Sequence, residues 1–279
     1  MSFATEEQTI VCVLGMSRSG TSLATRVLNL AGVYLGPEEE LLDADLRQLA
    51  DEGERVLAKA RYSNPEGHWE HYRLMRLNER ILKSLGGNWR EPPQMSPGWE
   101  SSQQLVAERE QAEVLLAESF DGHELWGWKD PRNSLTLPFW QRLLPQMRYV
   151  VCLRNPIDVA ASLERRDGMP IEQGLELWRT YVLAALAGTD GHPRLFVAYE
   201  DFFTKCAGTP ARLARFVGRE GAFEDEEGRR RLAGVVDERL WRNRTSVSDL
   251  AVDSRVSSEV AAVHRLTQRL AAAEAANAR

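Results

Sequence analysis

The segment Gly15-Met-Ser-Arg-Ser-Gly-Thr-Ser22 is close to the phosphate-binding pattern G-x-x-x-x-G-K-[ST], in which backbone N–H groups and a lysine hold phosphate oxygens. Thr21 stands at the lysine position, and the positive charge lies inside the loop, at Arg18. A guanidinium is a planar fork with a permanent charge, so it suits a pair of phosphate or sulfate oxygens. The segment therefore predicts an anion site, and a plain glycine turn between a strand and a helix is the alternative interpretation.

Charged and polar groups also follow the other apolar runs of the chain. Lys129-Asp-Pro-Arg132 comes after the run 124–128, Arg154 comes after 148–153, and Tyr199 comes after 195–198. Parallel sheets bind ligands beyond the carboxyl ends of their strands. If these runs are parallel strands, the groups that follow them meet at one edge of the sheet and form a single site with the glycine loop.

The alternation of apolar runs with helical patterns predicts the elements that would position these groups. Strands are expected at about 10–14, 124–128, 148–153 and 195–198. Helices are expected at about 21–30, 38–60, 74–85, 105–120, 135–144, 156–166 and 171–187. Pro138 should lie in the first turn of its helix, and Asn155 with Pro156 should begin another. This order of elements predicts an α/β fold of three αβα layers with a central parallel sheet.

Length and composition place the chain among ordinary globular proteins. It has 279 residues, of which 43% are hydrophobic and 27% are charged, enough for one domain. We expect a single domain over 1–279, with an irregular insertion at about 86–104 and a helical C-terminal part at about 209–279. A net charge of −6 argues against nucleic acid as a partner, so the anion site must be a local cluster of basic groups.

The expected location is the cytoplasm. The first nine residues lack a charged-then-apolar signal pattern, and no apolar run approaches the ~20 residues that span a membrane. Of the three cysteines, Cys12 and Cys152 lie inside apolar runs, as small buried side chains do in a reducing compartment. The sequence leaves a homo-oligomer open.

Four landmarks together resemble the sulfotransferases that use 3′-phosphoadenosine 5′-phosphosulfate (PAPS). The Gly15–Ser22 segment resembles the loop that binds the 5′-phosphosulfate. Arg154-Asn-Pro-Ile-Asp-Val-Ala-Ala-Ser162 resembles the 3′-phosphate motif, whose Arg and Ser are eight residues apart, as here. Lys129-Asp-Pro-Arg132 and Tyr199-Glu-Asp-Phe202 resemble two further strand-end segments of the family. The resemblance covers roughly residues 9 to 202 and implies a fold like that of P-loop-containing nucleotide hydrolases, with extra helices.

The resemblance also implies a reaction and its participants. The sulfuryl group would pass in line from PAPS to a hydroxyl or amine of an acceptor, leaving PAP, with no metal required. Lys129 would neutralise the bridging oxygen as PAP leaves. The donor would be held by residues of the loop and of the later landmarks, namely Arg18, Ser19, Gly20, Thr21, Ser22, Arg154, Ser162 and Tyr199.

The resemblance leaves several candidates for the general base. Some family members have a histidine two residues after the strand-end lysine, where this chain has Pro131. Others use a glutamate that Glu70 resembles, and a carboxylate at the start of a helix is stabilised as the anion that accepts a proton. An ordinary glutamate at a helix start is the plainer interpretation. His68, His71 and Asp130 remain the other candidate bases.

The acceptor and the adenine contacts stay open. Where some members have an aromatic residue after the loop, this chain has Leu23, so Tyr199 is the candidate adenine contact. Some family members have an additional 3′-phosphate contact near the C-terminus that is not recognisable in this chain. Arg242 or Arg244 would have to replace it. Carbohydrate, lipid, peptide and natural-product acceptors are all compatible with the sequence, and Trp69, Trp89 and Trp99 could offer a stacking surface.

Two other classes of function compete with the sulfotransferase interpretation. In a P-loop kinase or NTPase, Thr21 would hold Mg²⁺ and Asp130 would end a Walker-B-like strand, but the missing loop lysine counts against it. A nucleotide-binding protein without catalysis is the second alternative. Metal dependence separates the kinase, and insensitivity to loss of Glu70 or Lys129 would indicate the non-catalytic protein.

Overall fold

The computed structural model of the chain describes residues 8–42, 67–204, 208–236, 245, 250 and 253–277. Its centre is a sheet of four parallel strands in the order β2-β1-β3-β4. The strands are β1 (Thr9–Leu14), β2 (Leu125–Lys129), β3 (Arg148–Leu153) and β4 (Arg194–Ala198). The predicted strands and their parallel arrangement are confirmed, and β2 extends one residue further than expected, to include Lys129.

Ten helices carry the chain between and beyond the strands in the described residues. They are α1 (Thr21–Leu30), α2 (Tyr72–Ser84), α3 (Val106–Phe120), α4 (Asn133–Leu143), α5 (Pro156–Asp167), α6 (Ile171–Gly188), α7 (Asp201–Thr204), α8 (Gly208–Phe216), α9 (Glu226–Ala233) and α10 (Ser258–Asn277). Short 3-10 turns lie at Glu38–Glu40, Trp99–Ser101, Gln103–Leu105 and Glu220–Phe223.

The strands are apolar on both faces because both faces of the sheet are covered. In β1, Ile10, Cys12 and Leu14 point into a core that is completed by α2, α3 and α4. Val11 and Val13 point to the opposite side, into a core with α1, α7 and α8. This alternation is the period of two along a strand, read on two buried faces. The three-layer αβα fold is therefore confirmed.

Two predicted helices differ in the structure. Pro138 lies inside α4, not in its first turn, because the helix already begins at Asn133, where N–H groups bond back to Asp130 and Pro131. Pro138 has no N–H group, so it removes one intrahelical hydrogen bond. Of the helix expected over 38–60, residues 38–42 contain only a single 3-10 turn, and 43–60 lie outside the described residues.

The domain prediction also includes an irregular insertion and a helical C-terminal part. The segment 86–104 contains two 3-10 turns and is otherwise irregular, and the described stretches after 208 are mostly helical. Among the described residues, no helix is both long enough and apolar enough to cross a bilayer. The single domain over 1–279 stays a prediction.

Candidate active site

The glycine loop between β1 and α1 is packed too tightly for side chains at either of its glycines. Gly15 and Gly20 have positive φ angles of 134° and 84°, which favour glycine. A Cβ atom at Gly15 would lie 2.6 Å from the carbonyl oxygen of Cys152 in β3. A Cβ atom at Gly20 would lie 2.3 Å from the ring of Tyr199. The loop is therefore held closely between the ends of β3 and β4.

The interior of the loop presents polar groups at the start of α1. Arg18 is one of two non-glycine residues with a positive φ, 74°, among the described residues. The side chain of Ser19 is buried, and its hydroxyl makes no hydrogen bond within the described part of the chain. An unpaired buried hydroxyl is costly. Its position in a glycine loop at a helix N-terminus is the arrangement that binds anions.

The loop and the segment after β3 are joined by two hydrogen bonds. The guanidinium of Arg154 donates to the backbone oxygen of Arg18 at 2.9 Å. The Nε of Arg18 donates to the hydroxyl of Ser162, in α5, also at 2.9 Å. The structure therefore brings together the predicted 5′-phosphosulfate loop and the predicted 3′-phosphate motif.

The start of α5 follows the predicted cap. The side-chain oxygen of Asn155 accepts a hydrogen bond from the N–H of Ile157 at 2.9 Å, and Pro156 is the first helical residue. This cap fixes the direction in which the chain leaves β3. Ser162 then lies almost two turns along α5, on the same side as Arg18.

Tyr199 packs against the glycine loop. Its backbone N–H donates to the carbonyl of Leu153 at 2.8 Å, and its ring lies 4.3 Å from the guanidinium carbon of Arg154. The same ring closes on Gly20. Only 6% of Tyr199 is exposed, and its ring also packs edge-to-face on Phe203, with the ring centroids 5.1 Å apart. The adenine contact for Tyr199 stays a prediction.

Thr245 is a site residue that sequence reasoning missed. Its hydroxyl donates to Asp158 at 2.5 Å, and its carbonyl accepts from the side chain of Asn155 at 3.1 Å. It therefore attaches the chain after Arg244 to the start of α5. Thr245 follows Arg242 and Arg244 closely in sequence, but no local pattern marks its contact with Asp158. These two arginines, the proposed additional 3′-phosphate contacts, lie outside the described residues.

Glu70 and Lys129 form a buried ion pair at the carboxyl end of β2. The Nζ of Lys129 lies 2.7 Å from Oε1 of Glu70, and only 2% and 11% of the two side chains are exposed. Lys129 pairs in the sheet with Val13, two residues before the glycine loop. Glu70 lies two residues before α2. The structure thus brings together the two residues predicted to be catalytic.

The charge state of Glu70 follows from these surroundings. Burial raises its pKa, but the positive charges of Lys129, His68 and Arg132 and the hydrogen bond from Lys129 outweigh burial. The pKa of Glu70 therefore lies well below its usual range. The carboxylate is ionised at neutral pH, which is the form that accepts a proton.

The profile of the sulfotransferase family matches residues 11–225, which include the loop, the ion pair and the segments after β3 and β4. The chain belongs to the sulfotransferase family. Membership of this family supports sulfuryl transfer as the chemistry. The same membership counts against the kinase interpretation. Comparison with curated proteins gives no significant match.

Solved structures with the same fold are also sulfotransferases. A sulfotransferase domain from the curacin biosynthetic pathway is 16% identical with a TM-score of 0.52, covering 94% of this chain and 98% of that one. Sulfotransferase STF1 from Mycobacterium tuberculosis is 16% identical with a TM-score of 0.50, covering 95% and 77%. STF9 from Mycobacterium avium is 12% identical with a TM-score of 0.51, covering 98% and 77%. At these identities the likeness concerns the fold alone.

In this sulfotransferase, the observed contacts of the His71 side chain are structural. It caps α2, where its Nδ1 accepts from the N–H of Leu74 at 3.5 Å, and its Nε2 lies 2.9 Å from a carboxylate oxygen of Glu40. Burial, together with the nearby charge of Arg73, lowers the pKa of His71 to about 4. The imidazole is therefore neutral at pH 7, and it is buried between the start of α2 and Glu40.

Asp130 and His68, the other candidate bases, are also placed by the structure. Asp130 is buried and accepts hydrogen bonds from the backbone and the guanidinium of Arg132 and from Asn78. Burial raises its pKa. The backbone carbonyl of His68 accepts from Ser22, which ties the segment before α2 to the glycine loop. Arg132 also donates to Glu79 at 3.0 Å.

The three tryptophans do not share one surface. Trp69 packs in the α1 layer, where the guanidinium of Arg26 lies 4.2 Å from its ring. Trp89 packs against α5 and α6, and Trp99 is partly buried against the core that includes α2. The stacking surface that the sequence suggested for an acceptor is therefore not formed by these three residues together.

Proposed function

We propose that this chain transfers the sulfuryl group of PAPS to a hydroxyl or amine of its acceptor, with Glu70 as the general base and Lys129 as the cation at the reacting centre. The observation that carries the proposal is the buried 2.7 Å ion pair between these two residues. It lies at the carboxyl end of β2, next to the strand that leads into the glycine loop, and within the residues that match the sulfotransferase family.

The residues of the site fit a donor with two separate anionic groups. The hydroxyl of Ser19 and the Nε of Arg154 are buried and have no hydrogen-bond partner within the described residues. One lies in the glycine loop and the other at the predicted 3′-phosphate motif. A nucleotide with anionic groups at both its 3′ and its 5′ position would give each of these two donors a hydrogen-bond acceptor. Beside these two, the donor-binding residues that we propose are Arg18, Gly20, Thr21, Ser22, Ser162 and Tyr199.

PAPS, when bound, would supply an activated sulfuryl group with PAP as its leaving group. The chain supplies positioning and charge, which dominate catalysis of such transfers. The guanidinium of Arg154 and the N-terminus of α1 would bind the negatively charged groups of the donor. Lys129 places a positive charge at the edge of the glycine loop. The carboxylate of Glu70 takes up the proton that the hydroxyl or amine of the acceptor loses.

The ion pair is the state of the two catalytic side chains when no acceptor is bound. Without an acceptor, the charges of Glu70 and Lys129 compensate each other, which keeps both ionised in a buried position. When Glu70 takes up a proton, it loses its negative charge and its attraction for Lys129 falls. The positive charge of Lys129 is then less compensated and is available to the leaving oxygen.

A thermal-shift experiment tests the donor. We expect stabilisation by PAP in EDTA, and little by ADP or by ATP with Mg²⁺. A ligand at one hundred times its Kd adds about 2.7 kcal/mol, which raises the melting temperature by about 5 °C in a chain of this size. Arg154→Ala should abolish most of the shift. Arg179→Ala, which removes an arginine paired with Glu176 on α6, is the matched control and should keep it.

Either alternative function predicts a different result. A response to ATP with Mg²⁺ alone would overturn the sulfotransferase proposal and favour the kinase. For catalysis, we expect Lys129→Ala to lower turnover of radiolabelled PAPS far more than PAP affinity, and Arg154→Ala to weaken PAP binding. A non-catalytic nucleotide-binding protein would show no turnover with any acceptor and no dependence on Glu70.

A further inference from the structure

Asn78, in the middle of α2, is wholly buried and uses every hydrogen bond that a side-chain amide can make. Its NH₂ group donates to Asp130 at 2.9 Å and to the side chain of Asn133 at 2.8 Å. Its oxygen accepts from the hydroxyl of Thr136 at 2.7 Å and from the indole N–H of Trp140 at 2.9 Å. The chemistry of the partners fixes this orientation, because a carboxylate requires a donor and an indole requires an acceptor.

All four partners lie on one stretch of chain, from the end of β2 through α4. Asn78 therefore ties α2 to that stretch. A leucine would fill a similar volume in this core, and a buried amide is costly unless it is fully paired. The amide is thus not needed to fill space, and its effect is to fix where α2 lies relative to residues 130–140.

The two segments that Asn78 joins carry the two proposed catalytic residues. Glu70 lies two residues before α2, and Lys129 is bonded directly to Asp130. The ion pair at 2.7 Å joins the same two segments, so a shift of α2 against the end of β2 would disturb it. A hydrogen-bonded helix transmits such a shift along its length because it moves as a stiff unit.

We propose that Asn78 is a positioning residue that holds Glu70 against Lys129 by fixing α2 to the segment after β2. The catalytic consequence rests on the proposed function, whereas the structural consequence does not. Asn78 does not touch the reacting atoms in this assignment and acts only through Glu70 and Lys129.

The state of Glu70 provides the specific readout. The ionisable groups that act on it are Lys129, Arg132 and Asp130 at the end of β2, and His68 on its own segment. If α2 shifts, Glu70 and Lys129 separate while Glu70 stays buried. The attraction that keeps the carboxylate ionised then weakens, and burial raises its pKa. A purely structural role of Asn78 would lower stability without this change.

The test compares three variants by carbon NMR of glutamate carboxyl groups over pH, with the Glu70 signal assigned by Glu70→Gln. Asn78→Leu removes the whole network, and Thr136→Val removes one donor at nearly constant shape. Thr189→Val is the matched control. Thr189 is equally buried, donates to Ala185 and receives a hydrogen bond from Arg194 at the opposite edge of the sheet.

We expect the Glu70 signal to remain that of the ionised carboxylate at pH 4.5 in the wild type and in Thr189→Val, and to titrate at higher pH in Asn78→Leu. Thr136→Val should change in the same direction by less, and it decides the question if Asn78→Leu does not fold. An unchanged Glu70 signal in both network variants would overturn the proposal, whatever reaction the chain performs.

Turnover then separates positioning from the assignment of the base. With PAPS and an active acceptor, Asn78→Leu should lower kcat about tenfold to a hundredfold, because misplacement of a reacting group by 1 Å can cost that much. PAP affinity should stay within about twofold of the wild type. A raised Glu70 pKa with normal kcat would support the positioning role and refute Glu70 as the base.

Discussion

Replacing Lys129 with methionine removes the charge that faces Glu70 and keeps an unbranched side chain of similar length. The carboxylate would then be buried without its partner. Removing one partner of a buried ion pair costs about 3–5 kcal/mol, because the other charge is left uncompensated. We therefore expect the free energy of unfolding of Lys129→Met to fall by about that amount at pH 7. Glu70→Leu, which leaves Lys129 buried, should cost a similar amount.

The expected coupling follows from the geometry. Two unit charges 2.7 Å apart attract by about 6 kcal/mol at an effective dielectric constant of 20, before the cost of removing both from water. Replacing both by apolar side chains removes the attraction and the desolvation cost together, and such replacements are often close to neutral. The double variant should therefore be at least about 3 kcal/mol more stable than the sum of the single effects predicts.

The pH dependence of this stability has a definite sign. The pKa of Glu70 is lower in the folded chain than in the unfolded chain, where it is about 4.3. The stability contributed by the ionised carboxylate is therefore fully present above pH 4.3 and is lost as the pH falls towards the folded-state pKa. The difference between the wild type and Glu70→Leu should be constant from pH 8 to pH 5 and should shrink below about pH 4.

Chemical denaturation of the wild type, both single variants and the double variant measures the coupling. The pair Arg179 and Glu176 on the surface of α6 is the matched control, because its atoms are also 2.7 Å apart but 32% and 49% of its side chains are exposed. Its coupling should be below about 1 kcal/mol. If the two pairs give equal coupling, or the effects at Glu70 and Lys129 simply add, the reasoning from burial is refuted.

Two further predictions concern the donor loop and the base. Ser19→Ala should leave the free energy of unfolding unchanged or raise it by up to about 1 kcal/mol, because the buried hydroxyl has no partner in the described residues. The same variant should weaken PAP binding about tenfold by calorimetry, and unchanged binding would remove Ser19 from the donor site. The acidic limb of kcat/KM should lie below pH 5, because the pKa of Glu70 is lowered. A limb near pH 6.5, the ordinary pKa of an imidazole, would point to a histidine base instead.

The sequence determined the fold because the relevant signals are local. Short continuous apolar runs, separated by helical patterns, indicate buried strands and covering helices wherever they occur. The glycine loop, the Asn155 cap and the Arg154-to-Ser162 spacing are also local, since each depends on residues within one turn or one element. The carboxyl ends of parallel strands must share an edge, so the meeting of these segments followed from the strand assignment.

The predictions that depended on partners distant in sequence were weaker. His71 was a candidate base by residue type, and only the fold shows it capping α2 beside Glu40. Pro138 was assigned to a first turn because a proline there is common, but the hydrogen bonds that begin α4 start at Asn133. Thr245 reaches Asp158 across 87 residues, and no local pattern marks such a contact.

Only the tertiary structure decided how the proposed catalytic groups interact. Glu70 and Lys129 are 59 residues apart in the chain, and their 2.7 Å contact depends on where α2 lies against the end of β2. Asn78 is an ordinary polar residue when read in a helical pattern, and its role is visible only when its four partners are in place. Local sequence specifies which elements form and which groups they carry. The distances between those groups are set by packing and buried hydrogen bonds among elements, and these exist only once the whole chain has folded.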